Sequence, residues 1–352
     1  MEKAPALRLI QLKGSPYEIG FQHGEALSIQ IKDFVEKGIH FTSLFSPTTM
    51  EEIKKVSRAY LYPIQTFSPP LAEELRGIAD GSGVSIDEII FLHLRAEFMF
   101  RDLGCTTFAL SGTATKEGQI ISGQNLDWDP AMENLGIFLN IIPIHGPSSL
   151  VFTHPGMVGY FGINSEGLSV SLNLLVALGN QVGVPPYFFV RKFLEKERVS
   201  DCLAEARLTE RSSARNFLIT DAKGTILDLE TTANDFGIID PKECFLVHTN
   251  HFLIPKFAPV DKLIDDLPDS PIRKNRMEEL IRENVGKITL QDLKKFLADH
   301  YNHPNSICRH PDGSAKSWKT VLSVIYEPEK GLVHALKGNP CENKNYYFTY
   351  RL

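Results

Sequence analysis

The sequence predicts an α+β fold of two packed antiparallel sheets covered by helices. Three observations carry this. The first hundred residues have helix starts and helical periodicity, strand–turn–strand units closed by glycine follow Gly104, and helical segments separate those units.

Taken in order, Ser15-Pro16-Tyr17-Glu18 is a helix start, with Ser at the N-cap, Pro at the first helical position and Glu placed to close a capping box. Residues 50–61 and 70–79 have helical composition, and Gly81-Ser82-Gly83 breaks the chain before Ser85-Ile86-Asp87-Glu88 repeats the start signal. Beyond Gly104 the pattern is of hairpins. Residues 105–110 and 119–123 flank Lys116-Glu117-Gly118, and 158–163 and 168–174 flank Asn164-Ser165-Glu166-Gly167. Residues 216–220 and 225–230 flank Asp221-Ala222-Lys223-Gly224, and 321–326 and 332–336 flank Gly331. Glycine at each turn supplies the positive φ such connections need. Helical segments at 187–197, 273–284 and 290–300 lie between the hairpins, and no repeat or long linker divides the chain.

Composition narrows the class. The 352 residues carry 37 Lys+Arg against 43 Asp+Glu, a net charge of −6, with 43% apolar and 23% charged residues. That mixture excludes collagen, coiled coil and low-complexity disorder, and mild acidity argues against a nucleic-acid partner. No apolar run reaches the ~18 residues of a membrane span, so no membrane partner is expected. Residues 1–14 lack the apolar core of a secretory signal, and five scattered cysteines without C-x-x-C suit reduced thiols. The expected location is the cytoplasm.

The common local signatures are missing: no G-x-G-x-x-G, no phosphate-binding G-x-x-x-x-G-K, no G-x-S-x-G and no H-E-x-x-H. His248-x-x-His251 and His300-x-x-His303 have a spacing that some metal sites use, but no acidic or cysteine ligand set is evident beside them. They read as histidines hydrogen-bonded at loop ends, and neither metal nor cofactor is expected.

Cys105 opens a strand directly after a glycine, in Asp102-Leu103-Gly104-Cys105-Thr106-Thr107-Phe108. Taken alone it reads as a buried core cysteine. The following Gly123-Gln124-Asn125-Leu126-Asp127-Trp128 changes this, because a hairpin would return Asp127 toward the thiol. Gly-Cys-Thr-Thr followed by Gly-Gln-Asn-x-Asp resembles the penicillin acyltransferase family, the C45 autoproteolytic peptidases of the N-terminal nucleophile hydrolase superfamily. Further pieces agree in order: Gly14 to Gly24; Gly162-x-Asn164-Ser165-Glu166-Gly167-Leu168 with Asn173; His248-Thr249-Asn250-His251; Asp269-Ser270-x-x-Arg273; and Asp299 to Arg309.

The resemblance implies a four-layer αββα sandwich, with residues 1–104 as a mostly helical first chain and 105–352 as the catalytic core. It implies self-cleavage between Gly104 and Cys105 and an S-acyl intermediate on Cys105, with the cleaved first chain remaining a partner. Gly104 leaves room for the attack and tolerates a strained backbone. The freed α-amino group, with a reference pKa of ~7.7–8.0, can serve as base for its own thiol. Asn250 is the implied oxyanion donor, with the backbone at Asn173 as a second. Asp127 would orient the ammonium or thiol, and Arg309 would hold Asp127 or a substrate carboxylate. The implied substrate is a small-molecule amide or acyl thioester, and Trp128, Tyr160 and Phe161 allow an apolar acyl group. Water or an amine can be the acceptor, and the oligomeric state is open. Two other classes stand beside this one: a conventional thiol amidohydrolase that recruits a histidine such as His251, and a non-catalytic binding protein on the same scaffold.

Overall fold

The computed structural model describes residues 7–45, 49–94, 104–241, 243–314, 317–343 and 346–352. The first segment begins with a strand, β1 (Arg8–Gly14), followed by α1 (Pro16–Ala26), α2 (Ser28–Phe45), α3 (Met50–Arg58), α4 (Leu61–Phe67), α5 (Pro69–Ser82) and α6 (Ile86–His93). Ser15 and Ser85 close capping boxes with Glu18 and Glu88, as their sequence context predicts. Residues 50–61 hold the whole of α3 and the first residue of α4. At the glycine break only Gly83 is a terminator, in the left-handed region at φ 70°. Gly81 lies inside α5, where it serves packing instead.

That packing is unusually close. A Cβ on Gly20 would lie 2.0 Å from the Glu74 carbonyl oxygen, and one on Gly24 would lie 2.3 Å from that of Ile78. Reciprocally, Gly77 meets the Tyr17 carbonyl at 2.2 Å and Gly81 that of Phe21 at 2.3 Å. Two glycines four residues apart on each helix thus let the α1 and α5 backbones touch.

Among the described residues, fourteen strands form two sheets. Those after β1 are β2 (Gly104–Leu110), β3 (Ile121–Trp128), β4 (Ile137–Pro143), β5 (Ser149–Thr153), β6 (Phe161–Asn164) and β7 (Ser169–Leu174). Next come β8 (Arg215–Thr220), β9 (Ile226–Thr231), β10 (Phe236–Ile239), β11 (Phe245–His248), β12 (Lys319–Glu327), β13 (Leu332–Lys337) and β14 (Phe348–Arg351). One sheet runs β1-β4-β5-β6-β7-β8-β9-β10 and the other β11-β2-β3-β12-β13-β14. The later helices are α7 (Pro186–Phe193), α8 (Val199–Leu208), α9 (Ser270–Arg282), α10 (Leu290–Leu297) and α11 (Pro340–Asn343). Helices α1 to α8 cover the larger sheet in one continuous core, while Met277, Ile281, Leu293 and Phe296 of α9 and α10 pack on Phe108, Leu110 and Ile325 of the smaller. Ala109 and Leu246 meet Leu218 and Ile226 between the sheets. The order of layers is helix, sheet, sheet, helix.

One expectation needs correction. The sheets are not purely antiparallel, because β1, the one strand of the mostly helical first segment among the described residues, pairs parallel to β4 from Arg8–Ile137 to Gly14–Pro143. Only Leu12 of β1 is fully buried, so this edge strand carries little of the apolar alternation that marks a strand. Helices α7 and α10 also stop earlier than their composition suggests, at Phe193 and Leu297.

The first segment is fastened to the core by buried polar contacts as well. Arg191 on α7 donates to both Glu74 carboxylate oxygens at 2.6 and 2.9 Å, and to the Val158 carbonyl at 2.9 Å. His23 Nε2 accepts the Gly156 N–H at 3.1 Å, and His93 Nε2 accepts that of Val158 at 2.9 Å. Burial, then the charge of Arg191, pushes His23 down to about 3, so it is neutral and able to accept. The glycine crossing gives a direct test: Gly77→Ala should destabilise the protein by ~1–3 kcal/mol through overpacking, read by urea denaturation. An unchanged midpoint would mean that the helices can move apart freely.

Candidate active site

Strand pairing assembles the site. In the β2–β3 register Gly104 lies opposite Asp127 and Cys105 opposite Leu126. In the β11–β2 register Phe245 faces Leu110 and His248 faces Thr107, so continuing the antiparallel course past the end of β11 brings Asn250 alongside Cys105. There Asn250 Oδ1 accepts the Cys105 backbone N–H at 2.9 Å, while Asn250 Nδ2 donates to the Leu174 carbonyl at 3.1 Å. Thr106 reaches α9 and Thr107 reaches the other sheet, by a bond to Asn173 Oδ1 at 2.8 Å. By this alternation the Cys105 side chain points between the sheets.

A fully buried arginine organises the other side. Arg273 donates to the Cys105 carbonyl at 2.7 Å, to Thr106 Oγ1 at 3.0 Å, to Asn250 Oδ1 at 2.9 Å and to Asp269 Oδ2 at 2.7 Å. Arg309 also bonds Asp269 Oδ2, and its Nε stands 3.6 Å from Asp127 Oδ2. Asp127 Oδ1 accepts from Thr320 at 2.7 Å, whereas Oδ2 is buried without a hydrogen bond among the described residues. Burial pushes the Asp127 carboxyl up, against the pull of Arg309 and Arg273. Burial also pushes Asp269 up, but its two arginines outweigh that and hold it below the usual range. Two guanidinium groups and two carboxylates make the ionised cluster neutral. A Cβ on Gly104 would lie 3.0 Å from the unbonded Asp127 oxygen, and Gly104 is not among the positive-φ glycines. Space beside Asp127, and not a strained backbone, therefore accounts for glycine there.

The thiol itself is sealed, with Cys105 1% exposed. Burial pushes it up to about 12, Asp127 adds to the rise, and Arg273, the Leu174 backbone N–H and Arg215 oppose it. The amide facing the sulfur thus belongs to Leu174, one residue after the expected position, while the Asn173 side chain is taken up by Thr107 and by Asn216 at 3.0 Å. Arg215 is buried, and among the described residues its Nη2 has no hydrogen-bond partner. Its guanidinium lies 6.0 Å from the Tyr187 ring centroid, and the rings of Tyr160 and Trp128 extend this wall, at 5.0 Å from Tyr187 and 5.8 Å from Tyr160 respectively.

Among the described residues no imidazole hydrogen-bonds the Cys105 thiol. His251 bonds Ser270 Oγ at 2.8 Å, and burial lowers it to about 4. His248 bonds Glu230 at 2.8 Å and the Thr249 carbonyl at 2.9 Å, a hydrogen-bonded histidine as its sequence suggests. The second histidine motif differs. His300 converges with Cys308, His310 and Cys341, a ligand set that the sequence spacing conceals.

Cys105, Asp127, Asn250 and Arg309 are thus brought together with Arg273, Asp269 and Arg215. Arg273 and Asp269 stood in a recognisable motif without an assigned role, and Arg215 carried no signal at all.

The fold is that of the N-terminal nucleophile hydrolases. A mutant of the conjugated bile acid hydrolase from Clostridium perfringens superposes with a TM-score of 0.52 at 15% identity, over 70% of this chain and 92% of that one. Residues 113–342 match the family described as acyl-coenzyme A:6-aminopenicillanic acid acyl-transferase. This is well over half of the chain, and the protein belongs to that family. The matched span holds Asp127, Asn173, Asn250, Arg273 and Arg309. The 40 kDa form of acyl-coenzyme A:6-aminopenicillanic-acid-acyltransferase of Emericella nidulans is 28% identical over 326 residues, 90% of this chain and 89% of the relative. The N-acylethanolamine-hydrolyzing acid amidase of Caenorhabditis elegans is 28% identical over 307 residues, 75% of this chain and 79% of the relative. No helix among the described residues is long and apolar enough to cross a membrane.

The charge cluster generates a pH test. Asp269 has a lowered carboxyl pKa, so its contribution to stability is present above the unfolded value of ~3.9 and lost as pH falls through the folded one. Asp269→Asn should therefore be less stable than wild type at pH 7, and the gap should narrow as the pH is lowered below ~4. A gap independent of pH in chemical denaturation would remove the ion pairs as its cause.

Proposed function

We propose that the protein is a self-processing cysteine amidohydrolase or acyltransferase that cuts itself between Gly104 and Cys105 and carries the acyl group of its substrate on Cys105. The observation that carries this is the hydrogen bond from the Cys105 N–H to Asn250 Oδ1. It joins the nitrogen of the scissile bond to a side chain that Arg273 fixes from behind.

In the first reaction the Cys105 sulfur attacks the Gly104 carbonyl carbon. The C–N bond breaks, the thiol proton passes to the departing amine, and a Gly104–Cys105 thioester forms. Water then releases the Gly104 carboxylate and regenerates the thiol beside a free α-amine. The unbonded Asp127 oxygen next to Gly104 is the acceptor for the new α-amine, together with Asn250 Oδ1, and holds it as an ammonium once it has taken the thiol proton.

In the second reaction the α-amine removes the thiol proton, and the thiolate attacks the carbonyl of an amide or thioester. Asn250 Nδ2 has two hydrogens and spends one on Leu174, so the other, with the Leu174 N–H, can receive the oxyanion. The leaving group takes the proton, and water or an amine accepts the acyl group from sulfur. The wall of Trp128, Tyr160 and Tyr187 suits an apolar acyl group. The hydrolysis named for the nematode relative and the acyl transfer named for the fungal one are the two outcomes of this scheme. A conventional Cys/His pair is disfavoured by the engagement of His251 with Ser270, and a binding role gives no reason for a nucleophile, an amide and a carboxylate to converge.

Intact-mass analysis tests the first reaction. Wild type should give residues 1–104 and 105–352 as separate masses that co-elute in native buffer, and Cys105→Ala should give one uncut chain. An uncut wild type that turns over amides would overturn self-processing. For the second reaction, Asn250→Ala introduced into pre-cut chains should slow turnover by ~10²–10³ with the fold intact; co-expressing the two chains separately provides such material. A loss of less than about threefold would return Asn250 to a structural role.

A further inference from the structure

We propose that His300, Cys308, His310 and Cys341 form a closed tetrahedral site for a divalent cation of the zinc class. The inference is independent of the reading of Cys105.

Three of the four side chains lie in the stretch 300–310, and the fourth comes from a helix further along the chain. His300 lies three residues beyond α10, Cys308 and His310 flank Arg309, and Cys341 is in α11. Their ligand atoms all lie within 4.8 Å of one another. His300 Nε2 is 3.1 Å from His310 Nε2, which is 3.2 Å from Cys341 Sγ and 3.7 Å from Cys308 Sγ, and the two sulfurs are 3.5 Å apart. Zinc bonds of ~2.3 Å to sulfur and ~2.0 Å to nitrogen, at tetrahedral angles, space such atoms by about 3.3–3.8 Å. The distances around His310 are close to that spacing, and a modest movement of His300 completes it.

Hydrogen bonding does not account for the same cluster. A ring nitrogen has one hydrogen or one lone pair to offer, yet three polar atoms converge on His310 Nε2. A cation satisfies all four groups at once. Outer contacts are of the kind that orient ligands: Asn339 Nδ2 donates to Cys308 Sγ at 3.4 Å, and Glu342 Oε1 stands 3.8 Å from His310 Nδ1. Two thiolates with two imidazoles favour zinc over magnesium or calcium, and four protein ligands leave no open position for catalysis. Binding releases the two thiol protons to solvent, as the thiolates replace them with bonds to the metal.

The site would join the segment that carries Arg309 to α11. Arg309 would then be held against Asp127 and Asp269 from behind by a metal staple, which makes the cation a positioning element for the charge cluster.

The test uses the full-length protein, purified without a metal-affinity tag or chelator. Elemental analysis by mass spectrometry is expected to find one zinc per chain. After chelation, titration with Co²⁺ is expected to give a thiolate-to-cobalt charge-transfer band with the visible bands of tetrahedral cobalt. Cys341→Ser should cut the charge-transfer intensity by about half, having removed one of the two thiolates. His300 is exposed, so His300→Ala should fold normally and hold cobalt at least ~10-fold more weakly. A zinc-free protein whose chelated form gives no charge-transfer band with Co²⁺ would overturn the proposal. So would a Cys308–Cys341 disulfide in the non-reduced peptide map of freshly purified protein.

Discussion

Arg273 is a cation without access to solvent, and the neighbourhood of Cys105 is arranged around its needs. A guanidinium taken out of water costs several kcal/mol unless its donors are met. Here they are met by Asp269, the Cys105 carbonyl, Thr106 and Asn250. Each partner is thereby fixed in turn. Because Asn250 presents its oxygen to Arg273, its amide nitrogen must face Leu174, and the same oxygen is left to receive the Cys105 N–H. Because Asp269 is shared, Arg309 is drawn in, and Asp127 supplies the charge that balances it. One buried side chain thus sets the orientation of an amide, the position of a second arginine and the net charge of the cluster.

In the proposed scheme the cluster bears on the charge state of the Cys105 thiol before and after cleavage. A thiol raised to about 12 by burial and by Asp127 is protonated at neutral pH. A new amine beside it reverses the local balance, since an ammonium is attracted by Asp127 and favours a neighbouring thiolate. The α-ammonium and thiolate together add no net charge to four ionised groups that already cancel. Activation in this scheme needs no movement of Asn250 or Asp127, only a change in what the Cys105 nitrogen is.

Much of this was readable from residues alone, and the exceptions have physical causes. Hairpins closed by glycine, such as those around Gly167, Gly224 and Gly331, were legible because turn chemistry and strand patterning agree locally. The return of Asp127 toward Cys105 followed from one hairpin. Strand β1 was not legible because an edge strand with one buried residue has almost no periodic signal, and its partner lies over a hundred residues away. The opening motif from Gly14 to Gly24 was visible as a resemblance, but its purpose was not, since Gly20 and Gly24 matter only against Gly77 and Gly81. Arg215 and the ligand set at Cys308 and Cys341 were hidden for a similar reason: long-range convergence leaves no trace in local spacing.

The parallel pairing of β1 with β4 has a consequence for the life history of the molecule. In one continuous chain that pairing, and the docking of α1 and α5, are intramolecular events closed by a loop. A chain severed after Gly104 would keep the contacts while losing the tether that made them easy to form. Renaturation would then be second order in protein, and the dissociated pieces would meet at their bulk concentration instead of a local one. Persistence of the mature molecule would rest on how slowly it opens and not on an equilibrium that restores it. The fold would be assembled once, from a template that its own chemistry then destroys.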